Sequence, residues 1–247
     1  MKDNVNLSLS EHLTDLRKVF TVSIVAILIC SAITYFVFGN QLYNLITDPL
    51  KSLDVKLVYI GMAEAFITKI KIAVLAGVIV AMPIVMFQVW RFLAPALFPK
   101  ERRLALIILP LAIILFAMGV SFAYLVVFKF AARFLLVVVS GDLEPMLSVG
   151  PYVSFLITFL LPFGIIFELP MVMFFLAKAG IVNHRWLSKN RKFAVLIFFV
   201  IGAILTPPDV ISQVLLAGPM MLLYEISVLI ARFVKPRPQT TEIVEED

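Results

Sequence analysis

Runs of apolar residues dominate the pattern along this chain, and six are long enough to read as helices: about Val19–Phe38, Phe66–Val89, Leu104–Phe128, Val153–Ala177, Phe193–Leu205 and Val210–Ala231. A helix rises about 1.5 Å per residue, and about 20 residues cross a bilayer core about 30 Å thick. Most of the runs meet that length; the fifth does not. Fourteen residues separate Lys192 from Pro207, a rise of only about 21 Å. Pro207-Pro208 cannot continue a helix, because proline lacks the amide proton and restricts the residue before it. The fifth and sixth runs are therefore read as a short helical hairpin turning at Thr206-Pro207-Pro208-Asp209, which thins the bilayer or is covered by partners. Pro83, Pro110, Pro162, Pro170 and Pro219 lie inside runs and predict kinks or freed carbonyls.

A different pattern precedes the first run. Leu9, Leu13, Leu16 and Phe20 form one stripe at helical spacing, with Ser8 and Glu11 at capping-box spacing. Glu11, Asp15 and Lys18 fall on the opposite face. This predicts an amphipathic helix on the membrane surface, showing carboxylates to the cytosol. The expected organisation is this helix over 1–18, a membrane domain over 19–231 and a disordered tail over 232–247. The stretch Gly39–Ala65 is the longest polar connection, with weak periodicity.

Composition removes the soluble alternative. The 247 residues are 62% hydrophobic and 15% charged, against about 45–50% and about 25% for a soluble domain. One soluble core cannot hide that much apolar surface. The first residues lack the basic-then-apolar order of a cleaved signal, so the first run is expected to stay as a helix.

Charge sets the topology. With the N-terminus inside, the inner stretches hold Lys2, Arg17, Lys18, Arg91, Lys100, Arg102, Arg103, Lys178, Arg185, Lys189, Arg191, Lys192, Arg232, Lys235 and Arg237. The outer stretches hold Lys51, Lys56, Lys69, Lys71, Lys129 and Arg133. That bias favours both ends in the cytosol, and it accounts for the net charge of +5 without nucleic acid.

Candidate chemistry is sparse. Nucleotide-loop, zinc-protease and nucleophile-elbow motifs are absent. Cys30 is a lone cysteine in an apolar run, and His12 and His184 lie outside the runs. No enzyme, metal or cofactor is expected. Glu168 and Glu225 are acids within runs, and a charge at bilayer depth costs at least about 2.5–3.5 kcal/mol unless it faces protein or water. Glu168 reads as a polar contact for a substrate or partner helix, or as an internal hydrogen bond. Glu225 reads as lying near Arg232.

Several ordered motifs resemble the TatC family, the polytopic subunit of the twin-arginine protein translocase. They are His12-Leu-x-Asp15-Leu-Arg17, Gln88-Val-Trp-Arg-Phe92-x-x-Pro95-Ala-Leu-x-x-x-Glu101-Arg and Phe122-Ala-Tyr124. Further on come Phe163-Gly-x-x-Phe167-Glu168-x-Pro170 and Leu205-Thr-Pro-Pro-Asp209-x-x-Ser212-Gln213. The resemblance spans about Ser10–Phe233. It implies an all-α integral membrane protein of six helices in a kinked, concave bundle, with short helices five and six.

It also implies a receptor that binds twin-arginine signal peptides of folded cargo. With small single-span TatA/TatB-type partners, such a receptor builds an export site driven by the proton motive force. Self-association, lipid contact and a plasma (inner) membrane location are implied as well. Asp15 and Glu101 match cytosolic acidic positions suited to an arginine pair, with Arg17 and Phe92 shaping the pocket. The family usually has Glu where this chain has Asp15, one methylene shorter; Glu11, one turn earlier, is a candidate assistant. Glu168 matches a buried glutamate, Thr206 and Gln213 a partner-docking cluster, and Pro49 and Asp209 assembly positions. A small-molecule or ion secondary transporter is the competing class; it predicts inverted repeats, and no such symmetry is evident.

Overall fold

The computed structural model describes residues 9–51, 55, 57–93, 102–139, 146–206 and 210–234. It is mostly helical. In order come α1 (Leu9–Lys51), β1 (Leu57–Val58), α2 (Glu64–Leu93) and α3 (Arg102–Phe122). A π-helical stretch (Ala123–Phe128), α4 (Lys129–Arg133) and a second π stretch (Phe134–Val139) follow. Then come β2 (Leu147–Ser148), α5 (Val149–Ile166), α6 (Leu169–Lys178), α7 (His184–Lys189), α8 (Arg191–Leu205) and α9 (Val210–Phe233). The chain divides into two compact units, Met1–Gly164 and Ile165–Asp247.

Among the described residues, five stretches are long and apolar enough to cross a membrane: Leu13–Leu50, Glu64–Phe92, Leu109–Leu136, Val149–Lys178 and Val210–Phe233. Their apolar side chains are largely on the outside; in the most apolar window of the first, only 17% of residues are buried. That surface suits hydrocarbon rather than water.

The short fifth run appears as α8, 15 residues long and rising about 22 Å. The sixth is not short. α9 has 24 residues, about 36 Å, because nothing stops it between Val210 and the basic end at Arg232. Proline inside does not interrupt it.

Two other expectations change. No break separates the amphipathic N-terminal stretch from the first apolar run, and α1 continues through the polar positions after Gly39 as far as Lys51. The fourth run is broken in two at Phe167-Glu168, where Pro170 opens α6 in its first turn, a position at which the missing proline N–H is no loss.

In the first unit, α1 and α2 are antiparallel and closely packed. Ser31 lies against Gly77, and the Thr34 hydroxyl donates to Ala73 O at 3.0 Å. Ala26, Ala73 and Ala81 are buried along this pair, and small residues of this kind let backbones approach. α5 carries Tyr152, Val153, Leu156, Phe159 and Phe163 into the core. There Phe128 meets Tyr152 edge-on at 5.6 Å and Phe155 at 5.9 Å. In the second unit α9 is central, burying Leu216, Ala217, Met220 and Val228. Gly180 ends the turn after α6 with φ 76, a conformation glycine adopts at no cost. Asn183 then caps α7, its Oδ1 accepting from Trp186 N at 2.7 Å.

Candidate functional site

The α1–α2 register determines where the candidate arginine-pocket residues stand. Ser31 opposes Gly77 and Thr34 opposes Ala73. Carried toward the N-terminus at equal rise on both helices, this register brings Asp15 level with Phe92. Asp15 and Arg17 are exposed on α1, and Phe92 is half-buried near the end of α2. Glu11 lies in the first turns of α1. Glu101 and Asp209 lie outside the described residues, as do Pro207 and Pro208. One carboxylate of the expected pair thus stands on a helix, open to solvent.

Pro49 is buried in the last turn of α1. Lacking an N–H, it leaves the carbonyl of Leu45 without its helical donor. The Tyr124 hydroxyl donates to that carbonyl at 2.6 Å. At the next residue, Tyr152 donates to Ile46 O at 2.7 Å. Tyr124 stands in the first π stretch, with the Lys129 ammonium 5.8 Å from its ring centroid. Pro49 and the Phe122-Ala-Tyr124 motif, separate signals in the sequence, are two halves of one contact.

Glu64 anchors the same end of the first unit, and sequence reasoning missed it. One carboxylate oxygen accepts from Ile60 N at 2.7 Å and Gly61 N at 3.2 Å. The other accepts from the Ser148 hydroxyl and, at 2.8 Å, from Gly150 N. β1 and β2 pair in parallel beside it, Leu57 with Leu147 and Val58 with Ser148. Two turns into α2, the Lys71 ammonium donates to Ser154 Oγ at 2.8 Å. Both acid and lysine stand on α2 seven residues apart, a helical repeat that places them on one face, and that spacing was the available signal.

In the second unit, Glu168 is buried at 8% exposure and stands at the N-cap of α6, where its carbonyl accepts from Val172 N at 2.9 Å. Thr206 is buried at the end of α8 and its hydroxyl donates back to Gly202 O at 2.9 Å. Gln213 donates through Nε2 to Phe199 O at 2.9 Å, and its side chain packs over Gly202. Gln213 therefore joins the two arms of the α8–α9 hairpin, while Thr206 closes the end of α8 on itself. Glu225 is half-exposed and pairs with Arg191, its oxygens 2.8 Å from both Nε and an Nη, rather than with the Arg232 end of its own helix. An ion pair so open to solvent contributes little to stability.

Among the described residues, no cluster of His, Cys, Asp and Glu has metal-holding geometry. The arrangement offers binding chemistry: an exposed carboxylate on α1, a buried glutamate and polar helix ends.

A family model described as "TatC: Sec-independent protein translocase protein (TatC)" matches residues 11–219. The chain is 48% identical over 232 residues to the Sec-independent protein translocase protein TatC of Carboxydothermus hydrogenoformans, covering 94% of this chain and 95% of that one. To the protein of the same name from Aquifex aeolicus it is 40% identical, covering 92% and 95%. A crystal structure described as that of the twin arginine translocase receptor TatC superposes with a TM-score of 0.82 at 40% identity, over 90% of this chain and 98% of that one.

Proposed function

Since this chain belongs to the TatC family of Sec-independent protein translocase proteins, we propose that it is the receptor of a twin-arginine translocase. It is a membrane protein of protein transport, and its family sets aside the secondary-transporter reading. In this proposal it binds the signal peptides of folded cargo through Asp15 and Glu101, with Glu11, Arg17 and Phe92 around them. The guanidinium fork matches a carboxylate bidentately, which a lysine ammonium does not. At an effective dielectric of about 20, one close charge pair gives roughly 4 kcal/mol before desolvation, so two would dominate docking. What supports the reading is the exposed Asp15 on α1, together with an α1–α2 register that, carried on at equal rise, takes Asp15 to the level of Phe92.

The finer topology belongs to the same proposal. Six helices cross or enter the plasma (inner) membrane with both termini in the cytosol, α8 being the short one. The Lys and Arg distribution supports it. Small single-span TatA/TatB-type subunits dock at the α8–α9 hairpin around Thr206 and Gln213. The support is length: α8 rises about 22 Å against a core of about 30 Å. Glu168 serves as a buried polar contact for cargo or a partner helix, and Pro49 and Asp209 serve assembly, including self-association. No catalytic step, metal or cofactor enters this account.

The test is titration of the purified protein with a twin-arginine signal peptide and its Lys-Lys counterpart. Preference for the arginine peptide, lost in Glu101→Ala, is expected. Equal binding of both peptides, or unchanged binding in Glu101→Ala, overturns the receptor reading.

A further inference from the structure

A recess of about 340 Å³ opens between α1 and α2, lined in part by Tyr35, Gly39, Asn40, Gln41, Asn44 and Lys69. Its depth in the bilayer follows from two observations. Gly39 is the first residue after the apolar run of α1. The α1–α2 register, extended from Thr34 opposite Ala73, brings Lys69 level with Phe38 and Gly39. The recess therefore lies where hydrocarbon gives way to headgroups, the level at which tyrosine and snorkelling lysine side chains are at home.

Its chemistry is donor-rich. Among the described residues, the Lys69 ammonium makes no ion pair or hydrogen bond, and the side-chain amides of Asn40, Gln41 and Asn44 make none. No carboxylate lines it. The wall below is apolar: Phe36 is 82% exposed and stacks edge-on with Tyr35 at 5.2 Å. The floor has room, since a Cβ built on Gly39 meets nothing within 4 Å.

We propose that this recess is a binding site for the phosphodiester headgroup of an anionic phospholipid, with Lys69 and the three carboxamides on the phosphate and an acyl chain along Phe36. A cation beside neutral donors, with no acid near, selects an oxyanion. A free phosphate shares that chemistry, but the recess stands at the head of exposed hydrocarbon-facing surface, which only a lipid would also cover. The proposal is independent of the receptor reading.

Native mass spectrometry of the full chain in detergent tests it, with dioleoylphosphatidylglycerol or dioleoylphosphatidylcholine added. The wild type is expected to retain one phosphatidylglycerol and less phosphatidylcholine. Lys69→Gln removes the cation and Gly39→Leu fills the recess. Each is expected to lower phosphatidylglycerol retention by about fivefold or more, Lys69→Gln through the loss of one charge-assisted hydrogen bond at a solvated site and Gly39→Leu by excluding the headgroup. A Cβ at position 39 meets nothing within 4 Å and leucine favours the helix, so that variant decides the matter if Lys69→Gln does not fold. Equal retention by wild type and the folded variants overturns the site. Displacement of the lipid by excess inorganic phosphate overturns the lipid as its source.

Discussion

Replacing Gly77 by alanine is the sharpest probe of the α1–α2 pair. A Cβ at Gly77 would lie 2.6 Å from both the Ser31 backbone nitrogen and its Cα. These are backbone atoms and cannot rotate away. Ordinary contact begins near 3.4 Å, so α1 must retreat by close to an ångström. A gap of about 0.5–1 Å already forfeits a quarter to a half of each dispersion contact along the seam. Overpacking of this kind costs about 1–3 kcal/mol, against which alanine returns up to about 1 kcal/mol of helix propensity.

Gly218→Ala in α9 is the matched control. Its Cβ meets nothing within 4 Å, so only the helix gain of about 0.5–1 kcal/mol remains. The two substitutions are chemically identical and should have opposite signs. In thermal unfolding followed by helical circular dichroism in detergent, Gly77→Ala should melt below wild type and Gly218→Ala at or above it. At roughly 2–4 °C per kcal/mol for a chain of this size, the gap should be several degrees. If Gly77→Ala melts with Gly218→Ala or above it, the close approach of α1 and α2 is wrong. The Asp15–Phe92 level drawn from it then falls as well.

Two further outcomes follow from named contacts and a third from the proposed topology. Tyr124→Phe should destabilise by about 1 kcal/mol by stripping Leu45 O of its donor, and this effect should shrink in a Pro49→Ala background, which restores the helical N–H; equal effects in both backgrounds would break the pairing of Pro49 with Tyr124. Gln213→Leu should weaken the hairpin by about 1 kcal/mol through the lost bond to Phe199 O and should reduce crosslinks to single-span partners; retained crosslinks would count against docking at that site. Single cysteines at Ser10 and Lys235, in a Cys30→Ala background, should react only with reagent on the cytosolic side; labelling of either from outside would reverse the proposed topology.

The sequence disclosed the spans because lipid-facing and core-facing residues alike are apolar, so length alone marks them. It disclosed the short α8 because Lys192 and Pro207 bracket it. The extension of α1 was hidden. Gly39, Asn40, Asn44 and Pro49 all argue against a helix locally, and the contacts that outweigh them come from remote residues. Tyr124 and Tyr152 hold the carbonyls of Leu45 and Ile46, and Ile46, Pro49 and Leu50 are buried. Tertiary contact overrides propensity there. The sixth run, Val210–Ala231, is legible in the apolar pattern and nearly fills the 24 residues of α9; only its shortness, which the resemblance implies, is not found. Of the candidate site, the residue types were legible, while partners were not. Glu225 finds Arg191 across the hairpin, and Glu64 finds Ser148 and Gly150 more than eighty residues away, which no local pattern encodes.

The central claim is that cytosolic carboxylates on this chain read a pair of arginines. A double-mutant cycle tests it most directly: peptide affinity is measured for Arg-Arg and Lys-Lys signal peptides against wild type, Asp15→Asn and Glu101→Gln. The account predicts that neutralising either acid removes most of the preference for arginine, so the peptide and receptor substitutions are strongly non-additive. Additive effects, with the arginine preference intact in both variants, would contradict it.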